Sequence, residues 1–262
     1  MSAPPQSKRQ KKLADAKGRN MTKGQLWRAR EKQGRSVNGL KGKKAILVIS
    51  NRGRERMATD EAIALLELEE DFEEDSNDEG ITSLDLQSAV EKELAAIRET
   101  KTVRFNMGLP CLTAVSASSD PVAIISQLFN TVIAEGKARS THIEKLIPFQ
   151  IVCHPSMEAV VKAVSELLKS TLGADSPPQS FAVMPKIRGG ESGELDRAKL
   201  ITTIADLVDQ KRHPVNLTEP DVVIIVEIIR SIAGVSLVSG SDFRKFKRFH
   251  LRAITEATEG EE

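Results

Sequence analysis

Apolar positions along the chain recur in two spacings, one suited to strands and one to helices. Lys44 to Ser50 (KAILVIS) is a short continuous apolar run of strand length. Ala58 to Leu68 follows with Ile63 and Leu66 at helical spacing. From Ser83 to Ile97, the residues Leu86, Val90, Leu94 and Ile97 share one helical face, with Ser83 as N-cap. Val103 to Ser116 predicts strand material interrupted by the turn Gly108-Leu109-Pro110. Asp120-Pro121 is a helix start, and Val122, Ile125, Leu128, Phe129 and Val132 form that helix's buried face. Leu146 to His154 (LIPFQIVCH) reads as a strand. Ser156 caps a helix with Val160, Val161, Val164, Leu167 and Leu168 on one stripe and Gly173 past its end. Ser180 to Arg188 (SFAVMPKIR) predicts a strand that Pro185 confines to an edge or a bulge. Asp196 opens a helix burying Leu200, Ile201, Ile204, Leu207 and Val208, and two strands follow, Val222–Ile229 and Ile232–Val238.

Strands alternating with helices predict an α/β fold, with helices packed on a sheet. The run VVIIVEII is apolar at nearly every position, as in a central strand covered on both faces. Glu227 in its middle is either an edge-facing charge or a carboxylate with a buried partner.

Charge changes the picture at the N-terminus. The chain of 262 residues has a formal net charge of +1, yet residues 1–44 hold 14 Lys and Arg against Asp15 and Glu31. Apart from Leu13, Leu26, Trp27 and Leu40 this stretch is almost without apolar residues, which predicts a disordered arm. Such a density of positive charge suits capture of nucleic acid by counterion release, or a nuclear address. Residues 57–80 reverse the sign, with 11 acids and no base, and Glu67 to Gly80 reads as an acidic loop.

Other classes of chemistry lack their residues. Two cysteines, Cys111 and Cys153, make neither a disulfide framework nor a cysteine-built zinc site, and a reducing compartment is the simplest setting. Cys153 and His154 are neighbours on a strand and point to opposite faces, so they cannot pair as nucleophile and base. The four histidines, 142, 154, 213 and 250, show no metal-ligand spacing. Neither a catalytic residue, a metal site, a cofactor nor a small-molecule substrate is expected. The longest apolar candidate, Val222 to Val238, is broken by Glu227 and Arg230, so no membrane partner is expected. With 8 Phe, 1 Trp and 0 Tyr, a sheet paved with base-stacking rings is disfavoured.

The segment SFAVMPKIRGGESGELDRAKLITTIADLV, then HPVNLTEPDVVIIVEIIRSIAGVSLV, then FRKFKRFHL resembles the THUMP domain, in the stand-alone form that assists tRNA cytidine acetylation (the Tan1 type). The unit from KKAILVIS onward is similar to the ferredoxin-like domain that accompanies it. The resemblance implies an α/β chain: a ferredoxin-like N-terminal unit, then a THUMP-type α/β domain with a mixed sheet. With the charge pattern, this divides the chain into a basic arm over 1–42, a ferredoxin-like domain over 43–118 with an acidic insertion at 67–80, and a THUMP domain over 120–240. A basic segment at 241–252 and an acidic tail at 253–262 complete the chain. The implied function is a non-catalytic, tRNA-binding adaptor that presents tRNA to a separate RNA cytidine acetyltransferase for N4-acetylcytidine formation. The alternative is an RNA- or protein-binding adaptor in ribosome assembly without tRNA selectivity. The expected location is the nucleus or nucleolus, with the cytoplasm as an additional one.

Lys186, Arg188 and Arg197 match the family's basic positions. Lys186 and Arg188 lie two apart on a strand and so share a face, and Arg197 starts the next helix, where all three can converge on phosphates. In FRKFKRFHLR, Phe243, Phe246 and Phe249 recur at steps of three, which suits docking of a closing helix on the core, with base stacking on the rings as the alternative. Arg244, Lys245, Lys247 and Arg248 then project to solvent and widen the basic face. On this reading Arg188→Ala and Arg197→Ala each lower tRNA affinity without unfolding the protein. Deleting residues 1–42 flattens the salt dependence of binding.

Overall fold

The computed structural model describes residues 35–74, 102–137, 140–173, 176–189 and 195–258. The basic arm up to Gly34, the helix expected over 83–97, the loop Gly190–Glu194 and the end of the acidic tail lie outside the described residues.

Two sheets are built in chain order. The first holds β1 (Arg35–Ser36), β2 (Ala45–Ser50), β3 (Arg104–Asn106), β4 (Leu112–Ser116) and β5 (Ile143–Phe149), in the spatial order β1-β3-β4-β2-β5. Helix α1 (Glu55–Glu74) joins β2 to β3, and helix α2 (Pro121–Glu135) joins β4 to β5. The order β2-α1-β3-β4-α2-β5, with β4 antiparallel between β2 and β3, is the ferredoxin-like arrangement. The start of α2 follows its local signals. Asp120 accepts from the Val122 N–H at 3.3 Å, Pro121 fills the first turn, and Gly136 ends the helix at φ 65°.

The second sheet holds β6 (Ile151–Cys153), β7 (Phe181–Arg188), β8 (Val222–Ile229) and β9 (Ile232–Ser239), in the order β6-β9-β8-β7. It is mixed, since β7 and β8 run parallel and the other pairs antiparallel. Helices α3 (Met157–Thr171) and α4 (Arg197–Ala205) start at Ser156 and Asp196, whose side chains accept from the first-turn amides. Pro185 is accommodated because β7 is an edge strand.

β8 is buried on both faces, as its unbroken apolar run requires. Val222, Ile224, Val226 and Ile228 pack under α3 and α4. Val223, Ile225 and Ile229 face the other way and join the core of the first sheet. The two sheets therefore share a core instead of forming separate domains.

Three boundaries differ from those the sequence suggested. First, α2 and β5 belong to the first unit, which runs to Phe149 instead of 118, and LIPFQIVCH is two strands in two sheets. The change occurs at Gln150, whose N–H donates to Ser236 Oγ at 3.0 Å and whose side-chain oxygen accepts from the Leu237 N–H at 2.9 Å. Gly234 allows the close approach there, because a Cβ at that position would lie 2.5 Å from the Phe149 ring. Second, the fold begins at Arg35, not 43: Arg35 and Ser36 pair with Phe105 and Asn106, and Leu40 is fully buried. An arm deletion that spares the fold must stop at Gly34. Third, α1 continues through Glu74 where a loop was expected from Glu67. Glutamate's good helix propensity carries the helix through the acidic stretch.

The C-terminal segment also departs from a single helix. α5 (Gly240–Lys245) ends early, and Lys247, Arg248 and Phe249 follow at φ 47°, 59° and 59° before α6 (Leu251–Thr258). Three consecutive left-handed, non-glycine residues are costly, at about 1–2 kcal/mol each. The compensation is aromatic burial. Phe246 and Phe249 are buried against Phe129 of α2, with ring centroids 5.1 and 6.0 Å away. The docking role expected for the phenylalanines is thus what the structure shows, by way of a turn.

Candidate nucleic-acid interface

β7 alternates its side chains between two environments. Phe181, Val183 and Ile187 pack into the core under α3 and α4, while Met184, Lys186 and Arg188 line a groove on the other side. The groove encloses about 330 Å³. Ile147, Met184, Ile225, Phe243 and Phe249 contribute its apolar lining, and Lys145, Lys186, Arg188, Arg197 and Arg248 its positive charge. Glu227 is the one acid among the lining residues.

The five cations are delivered by four separate parts of the chain. Lys186 and Arg188 come from the end of β7, and Arg197 is the first residue of α4. Arg248 is carried in by the left-handed turn that buries Phe246 and Phe249 on either side of it. Lys145 stands on β5 of the first sheet, which begins at Ile143, three residues before the strand the sequence suggests from Leu146, so sequence reasoning missed it. Its spacing of two from Ile143 and Ile147, which puts all three on one strand face, was the available signal.

Arg188 is not an open phosphate ligand. Its Nε donates to Glu227 Oε2 at 2.7 Å, and Nη2 lies 3.5 Å from Oε1. The two side chains are 18% and 5% exposed. Glu227 thus has the partner that its buried position demanded, and that partner is one of the predicted contact residues. The pair holds the guanidinium at the groove wall and leaves Lys145, Lys186, Arg197 and Arg248 as the less committed charges.

A second hollow of about 370 Å³ adjoins the groove and shares Met184, Phe243 and Arg248 with it. Arg244 and Lys247 line this hollow together with Leu217, which is 72% exposed. Arg244 also donates to the Pro220 carbonyl at 3.0 Å, and Lys247 Nζ to the Ala253 carbonyl at 2.8 Å. Lys245 does not join either hollow. Its Nζ is 2.5 Å from Asn130 Oδ1 on α2 and lies over the Phe246 ring. Of the seven sequence candidates, four share the groove, two line its extension, and Lys245 faces α2.

Crowded positive charge leaves an electrostatic mark. The Lys145 ammonium is held below its ordinary pKa, first by partial burial, then by Lys186, Arg188 and Arg248, with Glu227 opposing the shift. A bound polyanion favours the charged form, so occupancy of the groove should take up a proton at this lysine. Affinity for a phosphate polymer is therefore expected to weaken with rising pH before the exposed lysines titrate. Lys145→Arg removes that early phase, and polarisation binding titrations across alkaline pH read it directly.

Comparison with known proteins gives the following likenesses. Residues 155–238 match the family described as THUMP domain, about a third of the chain. The chain is 27% identical over 146 residues to "THUMP domain-containing protein 1 homolog" of Drosophila melanogaster, covering 55% of this chain and 43% of that one. It thus spans less than half of that relative's length. It is 21% identical over 254 residues to "tRNA acetyltransferase TAN1" of Saccharomyces cerevisiae, covering 82% of this chain and 86% of that one. Among solved structures it resembles the crystal structure of PH1313 from Pyrococcus horikoshii at 13% identity and a TM-score of 0.44, covering 75% of this chain and 55% of that one.

Proposed function

We propose that this protein binds folded RNA through the β5–β7–α4 groove and acts as an adaptor, presenting tRNA to a separate RNA cytidine acetyltransferase. The observation that carries the reading is the convergence of Lys145 from β5, Lys186 and Arg188 from β7, Arg197 from α4 and Arg248 from the turn after α5 on one hollow. A fixed array of positive charge with few aromatic rings suits recognition through phosphate and ribose geometry. The match of residues 155–238 to the THUMP domain supports RNA as the ligand, and the yeast relative's name supports tRNA acetylation as the setting. The mechanism is positional: RNA and acetyltransferase held on one scaffold raise the effective concentration of the target cytidine at the partner's active site. The basic arm adds long-range attraction and a nuclear address.

The test has two parts. In competition binding at fixed salt, tRNA should displace an unrelated RNA hairpin; equal affinities would instead favour an adaptor without tRNA selectivity. Arg197→Ala should reduce the log–log salt slope by about 0.7–0.9, the loss of one phosphate contact. Incubating the pure protein with tRNA and acetyl-CoA should leave cytidine unmodified. Acetylcytidine in that mixture would overturn the adaptor role.

A further inference from the structure

Lys145 is a half-buried lysine set among positive neighbours. Lys186, Arg188, Arg197 and Arg248 face the hollow it lines, from β7, α4 and the turn after α5. The carboxylate of Glu227, from β8, is engaged by Arg188 at 2.7 Å. Partial burial and the positive neighbours favour the neutral amine, so a larger fraction of Lys145 is unprotonated than of an exposed lysine at the same pH. A neutral amine is a nucleophile, and here it stands inside a cradle whose other charges attract phosphate.

We propose that Lys145 is an acylation site, modified by acyl phosphates that the groove gathers through their phosphate group, and that the modification closes the groove to RNA. The second half rests on the RNA-binding reading above; the first does not. In the reaction the Lys145 amine attacks the acyl carbon and forms an amide C–N bond. The carbon–oxygen bond to phosphate breaks, and inorganic phosphate leaves with its electron pair. The proton of the attacking amine passes to solvent or to the departing phosphate. The product carries no charge at Lys145 and places the acyl group in the hollow, removing one cation and occupying its space.

The full chain, incubated with acetyl phosphate and mapped by peptide mass spectrometry over time, tests the chemistry. Lys145 should acquire acetyl ~10-fold faster than Lys162 and Lys169, exposed lysines of α3, because reagent bound beside the amine raises its effective concentration. Excess inorganic phosphate and Arg197→Ala should each shrink that preference. N-hydroxysuccinimidyl acetate, which carries no phosphate, should show less of it. Acetylation of Lys145 no faster than of the α3 lysines overturns the site. For the consequence, partly acetylated protein is separated into RNA-bound and free fractions. Acetyl-Lys145 should be depleted from the bound fraction while acetyl-Lys162 is not, and equal occupancy in both overturns the closure. If unmodified protein binds no RNA, the functional reading fails while the labelling rates still decide the acylation.

Discussion

Arg188→Ala should destabilise the protein more than the loss of any other cation in the groove, lowering stability by about 3–5 kcal/mol, because it leaves the buried Glu227 carboxylate without its paired guanidinium. This replaces the simpler expectation that Arg188→Ala weakens RNA binding and leaves the fold intact. Glu227 is on the central strand of the second sheet with 4% of its surface exposed, so water cannot substitute for the guanidinium. The pair's two members should behave differently. Glu227→Gln keeps a polar partner and relieves a negative charge beside the groove, so its stability loss should be smaller. The double change Arg188→Met with Glu227→Leu should recover most of the loss while RNA affinity stays reduced. Chemical denaturation of the three variants checks this, and equal stability of Arg188→Ala and wild type would refute the account of the pair.

Phe246→Ala should cost about 3–5 kcal/mol through loss of a fully buried ring and the cavity left behind. Phe246 contacts the rings of Phe129 and Phe249, so the deletion removes one of three mutually contacting rings. The functional effect follows from the backbone. The left-handed run Lys247–Phe249 persists because the rings on both sides are buried. Without Phe246 that run should relax, and Arg248 should leave the groove wall. Both global stability and RNA affinity should fall, even though Phe246 lines neither hollow. Phe246→Leu keeps apolar volume and should retain more of both properties. Calorimetry and RNA titration on the same preparations separate the two losses; a destabilised Phe246→Ala that binds RNA with the wild-type salt slope would show that the turn does not depend on the ring.

What was legible in the chain was what is local. Asp120-Pro121, Ser156 and Asp196 each satisfy a helix start within a few residues, so their sequence signals translated directly into structure. The apolar run of β8 announced a strand covered on both faces, and Pro185 announced an edge or a bulge, of which the structure has the edge. Pairings at long sequence separation left no such trace. Arg188 meets Glu227 across 39 positions, and only the parallel register of β7 with β8 brings them together. Lys145 reaches the groove because β5 belongs to the first sheet, a placement decided by pairing with β2. The turn at Lys247–Phe249 carries neither Gly nor Asn, so nothing local distinguished it from a continuing helix.

Burial of β8 on both faces has a practical consequence for work with fragments. A piece cut to residues 155–238 would lose β6, β5 and the aromatic cluster together, baring Val223, Ile225 and Ile229 to water. Such a truncation should be sticky and prone to self-association. It would also carry only three of the hollow's five cations, lacking Lys145 and Arg248. Weak RNA capture by that excised piece would describe an incomplete receptor, so ligand surveys belong on chains that begin no later than Arg35 and extend through the final helix.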